Sequence, residues 1–259
     1  MHGSLSAAFQ FGSRYVGVAT KTRRTTIRSL LDGEELAAFN SKEVTAACAV
    51  GQAIVCAAWD GRVYVIRRQE VEKLAHTEHH IRVWSAVALD HRRCLLGGDY
   101  GHLIELDLET REFTYTHFPK FDIPKPGRDI RCLVARANGV LVLGDKELVV
   151  QFENGKPTSL HARPMFSEID FRQGVLVGDV LWMVASDVGP SNNLIVEFAL
   201  ADKSIRYHRI RVSNMRVPVI ANIGGRLVLE NEKAYRGFPG TLVTVKEFEV
   251  SWLLPQSVW

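Results

Sequence analysis

The chain has 259 residues, of which 46% are hydrophobic and 24% charged, and its formal net charge at pH 7 is +3. This composition is typical of a soluble globular protein, and the absence of any run of about 18 apolar residues excludes a membrane-spanning helix. So small a net charge does not predict a nucleic-acid partner, and the N-terminal residues lack the basic start and apolar core of a signal peptide, so we expect a cytoplasmic protein.

Residues 82–118 contain four short segments that are apolar or alternate polar with apolar residues. Asp, Gly and other polar residues separate these segments. Short alternating segments bounded by turn residues are typical of β-hairpins. The predicted strands are 82–89, 94–98, 102–108 and 113–118.

The same pattern recurs along the whole chain, in units whose starts are 39 to 47 residues apart. In five of the six units, nine positions separate the first turn from the residue that closes the second strand. The fourth unit is shorter at this point because its first turn, at 137–139, is tighter. The six units are 4–39, 43–77, 82–118, 129–162, 170–210 and 215–255.

Four-stranded units that repeat about every 40–50 residues are the signature of a β-propeller. The chain resembles propellers of the WD40 and quinoprotein-repeat kind over almost its full length. The resemblance is to an architecture, because Trp59-Asp60 is a lone pair at the end of a second strand, whereas WD40 blades carry a recurring pair at the end of the third. It implies an all-β, six-bladed propeller of four-stranded antiparallel blades, forming one domain over residues 1–259.

Three further expectations follow from this architecture. Small residues in the first strands, such as 46–49, suit the crowded centre of a propeller. Segment 69–76 is the most helix-like and is predicted as a fourth strand, so we expect almost no helix. The chain begins near a first strand and ends on a fourth, so we expect no exchange of strands to close the ring.

No cofactor, metal site or catalytic residue is predicted. None of the cysteines forms a Cys-x-x-Cys pair, and all fall in predicted strands, which indicates buried free thiols. The histidines closest together match no metal-binding spacing. The cysteines are Cys48, Cys56, Cys94 and Cys132, and the histidines are His76, His79, His80 and His91.

Four of the six predicted second strands end in aspartate. A ring of carboxylates could bind a cation such as calcium. An aspartate at a hairpin corner also bonds to its own backbone, and this turn role is the favoured interpretation. The four residues are Asp60, Asp99, Asp145 and Asp187.

The turns of the predicted propeller separate the charges. Loops between blades and loops between second and third strands lie on one face and are rich in Lys and Arg, whereas the other turns are rich in Asp and Glu. We therefore predict a basic face that attracts an acidic partner. The alternative is a solvated surface without a partner.

The longest predicted loops, 119–129, 161–169, 188–193 and 234–240, also lie on the basic face. Aromatic residues beside Arg are typical of binding hot spots, although such residues could instead cover blade edges. The candidate partner-binding residues are Arg23, Arg24, Phe121, Lys125, Arg128, Arg163, Phe166, Tyr235, Arg236 and Phe238.

The favoured function is a non-enzymatic interaction module, such as an adaptor, scaffold or toxin-neutralising subunit, that binds an acidic patch on another protein. No membrane partner is expected, and nucleic acid is disfavoured. The alternative is a propeller enzyme, hydrolase or lyase, or a small-ligand binder with its site at the axial mouth of the same face. The sequence leaves the partner and the oligomeric state open.

Overall fold

The computed structural model of the protein describes residues 4–30, 32–77, 81–117, 129–153, 156–161, 169–186, 193–210, 220–223, 226–229 and 246–248. The chain divides into two compact units. Unit 1 comprises residues 1–121 and 235–243, and unit 2 comprises residues 122–234 and 244–259.

Three four-stranded antiparallel sheets, numbered as blades 1 to 3, make up unit 1. In each blade, consecutive strands pair with one another. The strands are β1 (Ser4–Phe11), β2 (Arg14–Lys21), β3 (Arg24–Ser29) and β4 (Glu35–Asn40); β5 (Val44–Val50), β6 (Ala53–Ala58), β7 (Arg62–Arg67) and β8 (Glu70–His76); and β9 (Val83–Ala88), β10 (Arg93–Gly98), β11 (His102–Asp107) and β12 (Phe113–His117).

Blades 4 and 5 of unit 2 have the same four-stranded order, and a sixth sheet has three described strands. The strands are β13 (Ile130–Arg136), β14 (Gly139–Gly144), β15 (Leu148–Glu153) and β16 (Lys156–His161); β17 (Asp170–Val177), β18 (Val180–Ser186), β19 (Asn193–Ala199) and β20 (Ile205–Ile210); and β21 (Ile220–Ile223), β22 (Arg226–Leu229) and β23 (Lys246–Phe248).

The repeat pattern predicted these strands well. Blades 1 to 5 fall within one residue of the predicted units, and the helix-like segment 69–76 is strand β8. Gly12 and Gly51, in the first turns of blades 1 and 2, have φ of 59° and 57°, the left-handed conformation that tight hairpin turns require. Among the described residues, the only helical element is a 3-10 turn at Asp99–Gly101.

Within each unit the first strands of successive blades lie side by side. In unit 1, β5 contacts both β1 and β9, and in unit 2, β17 contacts both β13 and β21. Strand β5 has the sequence VTAACAV, and its small side chains allow the neighbouring first strands to approach closely.

Strand β6 is buried along its whole length because both faces of blade 2 are covered. Alternate residues of a strand point to opposite faces. Val55 and Ala57 belong to the core shared with blade 3, whereas Ile54, Cys56 and Ala58 belong to the core shared with blade 1. The continuous apolar run AIVCAA is what a strand covered on both faces requires.

The four cysteines are free and buried, as the sequence predicted. Cys48, Cys56 and Cys94 lie in the two cores of unit 1, and Cys132 lies in the core of unit 2. Burial raises the pKa of the Cys56 thiol. These thiols therefore behave as small apolar side chains.

Gly98 is required where β10 passes against the backbone at the start of β9. A Cβ at this position would lie 2.6 Å from the carbonyl oxygen of Arg82. The backbone N–H of Asp99 then donates to the same carbonyl at 3.0 Å. The close approach recurs in blade 4, where a Cβ on Gly144 would lie 2.6 Å from the carbonyl oxygen of Asp129.

On the surface of unit 1 that carries the turns between first and second and between third and fourth strands, carboxylates are paired with arginines at 2.6–2.9 Å. Exposed pairs of this kind contribute only about 0–1 kcal/mol each, but they offset the excess of acid that the sequence suggested there. The pairs are Arg14–Glu34, Arg28–Glu35, Arg92–Asp107, Arg92–Glu109, Arg93–Asp90 and Arg111–Glu72.

Asp90 should make the stability of the protein depend on pH. Burial alone would raise the pKa of Asp90, but the backbone N–H groups of Arg92 and Arg93 and the Arg93 guanidinium outweigh it and lower the pKa to about 2. A carboxyl with a lowered pKa stabilises the fold above its unfolded pKa of about 3.9, and the effect is lost as the pH falls through the folded value. In urea titrations, the free energy of unfolding of Asp90→Asn should therefore be lower than that of the wild type at pH 7. The difference between the two free energies should decrease from pH 4 to pH 2. A constant difference would contradict this.

None of the described residues belongs to a helix that is both long and apolar enough to cross a membrane.

Candidate functional site

Two of the ten predicted partner-binding residues lie in the described chain. Arg23 is exposed in the β2–β3 turn, and Arg24, the first residue of β3, is 65% exposed in its side chain and lies 3.7 Å from a carboxylate oxygen of Glu35. The others lie outside the described residues, and their role stays a prediction. They are Phe121, Lys125, Arg128, Arg163, Phe166, Tyr235, Arg236 and Phe238.

The surface that carries Arg23 is formed by the turns between second and third strands and the segments that join the blades. Backbone hydrogen bonds tie these parts together: Ser41 N–H donates to the carbonyl of Arg23 at 2.9 Å, and Trp59 N–H donates to that of Glu43 at 2.7 Å. The hydroxyl of Ser41 also hydrogen-bonds to that of Thr25. We call this surface of unit 1 the connector side.

Five residues on the connector side of blades 2 and 3 form what we call the corner cluster: Lys42, Trp59, Arg82, Asp99 and Tyr100. Lys42 and Arg82 lie just before the first strands of their blades, and the other three lie in or next to the β6–β7 and β10–β11 turns. Every member lies within two residues of a strand, which restricts its position.

The centre of the corner cluster is a cation–π contact. The guanidinium carbon of Arg82 lies 4.1 Å from the centroid of the Trp59 ring. Trp59 is nevertheless 39% exposed, and Arg82 is 46% exposed in its side chain. Contacts of this kind contribute about 0.5–1 kcal/mol at exposed sites, and they orient the arginine.

Asp99 lies beside Arg82 in the same blade, blade 3. Its carboxylate accepts a hydrogen bond from the indole N–H of Trp84 and lies 3.9 Å from Nε of Arg82. Its backbone N–H is bonded to the Arg82 carbonyl. Arg82 therefore has a backbone hydrogen bond, an ion-pair partner on its Nε side and an aromatic ring beside its guanidinium group.

Tyr100 stands at the tip of the β10–β11 turn. It is 65% exposed, and its φ of 57° places a bulky residue in the left-handed region that glycine usually occupies. Non-glycine residues in such conformations cluster at ligand clamps and other functional sites. Trp, Tyr and Arg together are also the composition of interface hot spots.

Lys42 extends the corner cluster toward blade 1. Its ammonium lies 3.6 Å from the carboxylate of Asp60, which also lies 3.4 Å from Nε of Arg62. The Asp60 side chain is only 12% exposed, whereas that of Lys42 is 51% exposed.

Unit 2 has a denser ion-pair network at the corresponding turns of blades 4 and 5. Arg131 lies 2.7 Å from Asp129 and 2.9 Å from Asp145, and Arg172 lies 2.9 Å from Asp170. Burial would lower the pKa of Arg131, but the hydrogen bond and charge of Asp145 outweigh it and raise the pKa. Each arginine is paired with carboxylates of its own blade, so the network is best explained as structural.

The predicted turn role of the aspartates needs correction. Asp60 accepts a hydrogen bond from the N–H of Arg62 at 3.4 Å, as a turn residue should. The carboxylates of Asp99 and Asp145 instead bond to Trp84 and Arg131, on the first strands of their own blades. They tie the second strand to the first, an arrangement that turn chemistry alone does not indicate.

The predicted ring of aspartates and the predicted group of histidines lie only partly within the described residues. Asp187, His79 and His80 lie outside the described residues. Within the described ranges, no group of three or more His, Cys, Asp or Glu side chains is placed to hold a metal ion.

Trp59, Arg82 and Tyr100 are not among the residues that the sequence predicted for partner binding. The available signals were a tryptophan that directly follows a buried second strand and a tyrosine between Asp and Gly in a three-residue turn. Both positions are corners where the local pattern favours polar or small residues. An exposed aromatic residue at such a corner therefore needs an explanation other than turn formation.

Four-stranded antiparallel meanders, with first strands side by side within each unit, are the blades of a β-propeller. The chain is thus an all-β protein of the propeller class. Five blades have all four strands, and the sixth has three in the described residues.

No protein-family model matches the chain, and no curated protein matches its sequence. Solved structures share the fold. The N-terminal domain of Nup159 matches with a TM-score of 0.59 and 12% identity over 88% of this chain and 71% of that chain. A chain in the S. cerevisiae structure of a Dbp5 variant bound to Nup159, a Gle1 variant, IP6 and ADP matches with a TM-score of 0.59 and 12% identity over 89% of this chain and 71% of that chain. At this identity the likeness shows the fold alone.

Proposed function

We propose that this propeller is a protein-interaction module and that the corner cluster is the centre of its partner-binding surface. The observation that carries the proposal is the exposed pair Trp59 and Tyr100, with Arg82 stacked on Trp59. Aromatic residues and arginine on rigid corners provide contact area at a small entropic cost, and such residues dominate binding energies.

Other observations support this function without testing it. One fold neighbour comes from a structure titled as Dbp5 bound to Nup159 and Gle1, which is a property of that assembly and a fold-level analogy for this chain. The predicted loop residues, from Phe121 to Phe238, remain candidates for contacts with a partner. The free buried cysteines suit a reducing compartment, so the cytoplasm is part of the proposal.

The test uses a partner purified with the tagged chain from its native cells and then isolated for titration calorimetry. We expect the double variant Trp59→Ala/Tyr100→Ala to raise the dissociation constant by about 30-fold or more. Truncation of a hot-spot residue usually reduces the binding free energy by about 2 kcal/mol or more. Glu109→Ala, at an exposed position on the opposite turns, is the matched control and should change binding less than twofold.

Thermal unfolding of each variant separates lost binding from lost folding. The altered side chains are exposed, so their melting temperatures should stay within a few degrees of the wild type. A partner that binds the double variant as tightly as the wild type would refute the proposed surface.

A further inference from the structure

We propose that the corner cluster recognises a carboxylate in an extended acidic segment of the partner, through the terminal nitrogens of Arg82, with an apolar or aromatic residue of the same segment beside it. This inference rests on the proposed function and names the chemistry of its partner.

The first argument is the orientation of Arg82. The guanidinium carbon lies 4.1 Å from the centroid of the Trp59 ring, and Nε lies 3.9 Å from the carboxylate of Asp99. The two Nη nitrogens form the other end of the guanidinium, and the side chain is 46% exposed. Two Nη donors in one plane match the two oxygens of a carboxylate, and a guanidinium already held in place loses little freedom on binding.

The second argument is the unequal exposure of the charges. The side chains of Lys42 and Arg82 are 51% and 46% exposed, whereas those of Asp60 and Asp99 are 12% and 16% exposed. Glu43, beside Lys42, is an exposed acid in this region. The paired carboxylates therefore lie deeper than the cations, and the surface that a partner meets complements negative charge.

The third argument is the position of the aromatic residues. Trp59 stacks on Arg82, and Tyr100 directly follows Asp99, the residue that fixes Arg82. A segment whose acid binds Arg82 would therefore meet exposed aromatic surface next to it. An apolar or aromatic neighbour of the acid would bury part of that surface.

The experiment is a selection of random twelve-residue displayed peptides on the wild-type protein, after removal of binders to Trp59→Ala/Arg82→Ala. Enriched sequences should contain Asp or Glu next to an aromatic or large apolar residue. Arg82→Lys keeps the charge but loses the two Nη donors. It should raise the dissociation constant of an enriched peptide by about tenfold or more. Arg111→Lys, at an exposed position on the opposite turns, is the matched control and should leave binding unchanged.

Charge reversal gives the sharpest result. Arg82→Glu should abolish binding of the acidic peptide and should accept the peptide whose acid is replaced by lysine. The inference is overturned by a selection that yields no acidic peptides, by unchanged affinity of Arg82→Lys, or by tighter binding of a twelve-nucleotide oligothymidylate at the same site. Native partner binding that falls with Trp59→Ala/Tyr100→Ala but not with Arg82→Lys overturns this inference alone and leaves the proposed function standing.

Discussion

Replacing Glu147 with alanine is expected to lower the free energy of unfolding by about 3–5 kcal/mol, because it removes the acceptor of two hydrogen-bonding side chains and leaves a void in the fold. Glu147 is 0% exposed although it lies in the β14–β15 turn of unit 2. The hydroxyl of Tyr207 in blade 5 donates to its Oε2, and Nε2 of His161 lies 3.3 Å from the same oxygen. Without the carboxylate, two polar groups lose their partner and a void remains, so both the desolvation and packing costs apply.

Urea denaturation followed by tryptophan fluorescence measures the loss. Glu147→Gln keeps the size and one acceptor oxygen and should cost less than Glu147→Ala. Tyr207→Phe removes one donor and should also cost less. Equal stability of Glu147→Ala and the wild type would show that the contact contributes nothing. Partner binding of the folded variant should be unchanged, because the corner cluster belongs to unit 1.

The role of Glu147 shows where prediction from the sequence ends. A glutamate in a hairpin turn with φ of 59° looks like a solvent-exposed turn residue. Its burial depends on Tyr207, which is 60 residues further along the chain and belongs to the next blade. No local pattern contains that contact.

The strands, in contrast, could be predicted because their signals are local. Alternation, turn glycines and apolar runs each extend over a few residues. Strand β6 illustrates this, because its sequence AIVCAA already indicates a strand covered on both faces. The repeat of such signals along the chain then identifies the blades, even where no family motif exists.

The corner cluster could be predicted only in part. The sequence predicted a partner-binding face on the loops between blades and the turns between second and third strands, and the members of the cluster lie on these segments. It did not pair Trp59 with Arg82, because this contact joins different blades. It also assigned Asp99 to the turn and did not link it to Arg82, although the two residues flank the paired strands β9 and β10. The sequence also predicted an excess of acidic residues on the opposite turns. In the structure, arginines such as Arg92 and Arg93 form ion pairs with acids there.

Replacing Phe171 with alanine is expected to be as costly as losing Glu147, at about 3–5 kcal/mol. Phe171 in β17 is 0% exposed and lies in the core between blades 4 and 5, with Leu143, Leu181 and Met183. Truncation removes most of an aromatic side chain from a site covered on both sides, so the neighbours can collapse only partly into the void. Phe171→Leu keeps much of the volume and should cost clearly less.

Trp59→Ala is the informative comparison for Phe171→Ala, because it also removes an aromatic ring but at a position that is 39% exposed. Trp59→Ala loses the contact with Arg82, which contributes about 0.5–1 kcal/mol at an exposed site, and should cost clearly less than the loss of the fully buried Phe171 ring. In urea denaturation, the free energy of unfolding should therefore be several kcal/mol lower for Phe171→Ala than for Trp59→Ala. In partner titration, Trp59→Ala should show the larger loss of affinity. If Trp59→Ala proved as destabilising as Phe171→Ala, Trp59 would be a structural residue and its exposure would no longer support a binding role. If Phe171→Ala lost more stability and Trp59→Ala lost more affinity, Phe171 would be a residue required for folding and Trp59 a residue required for binding.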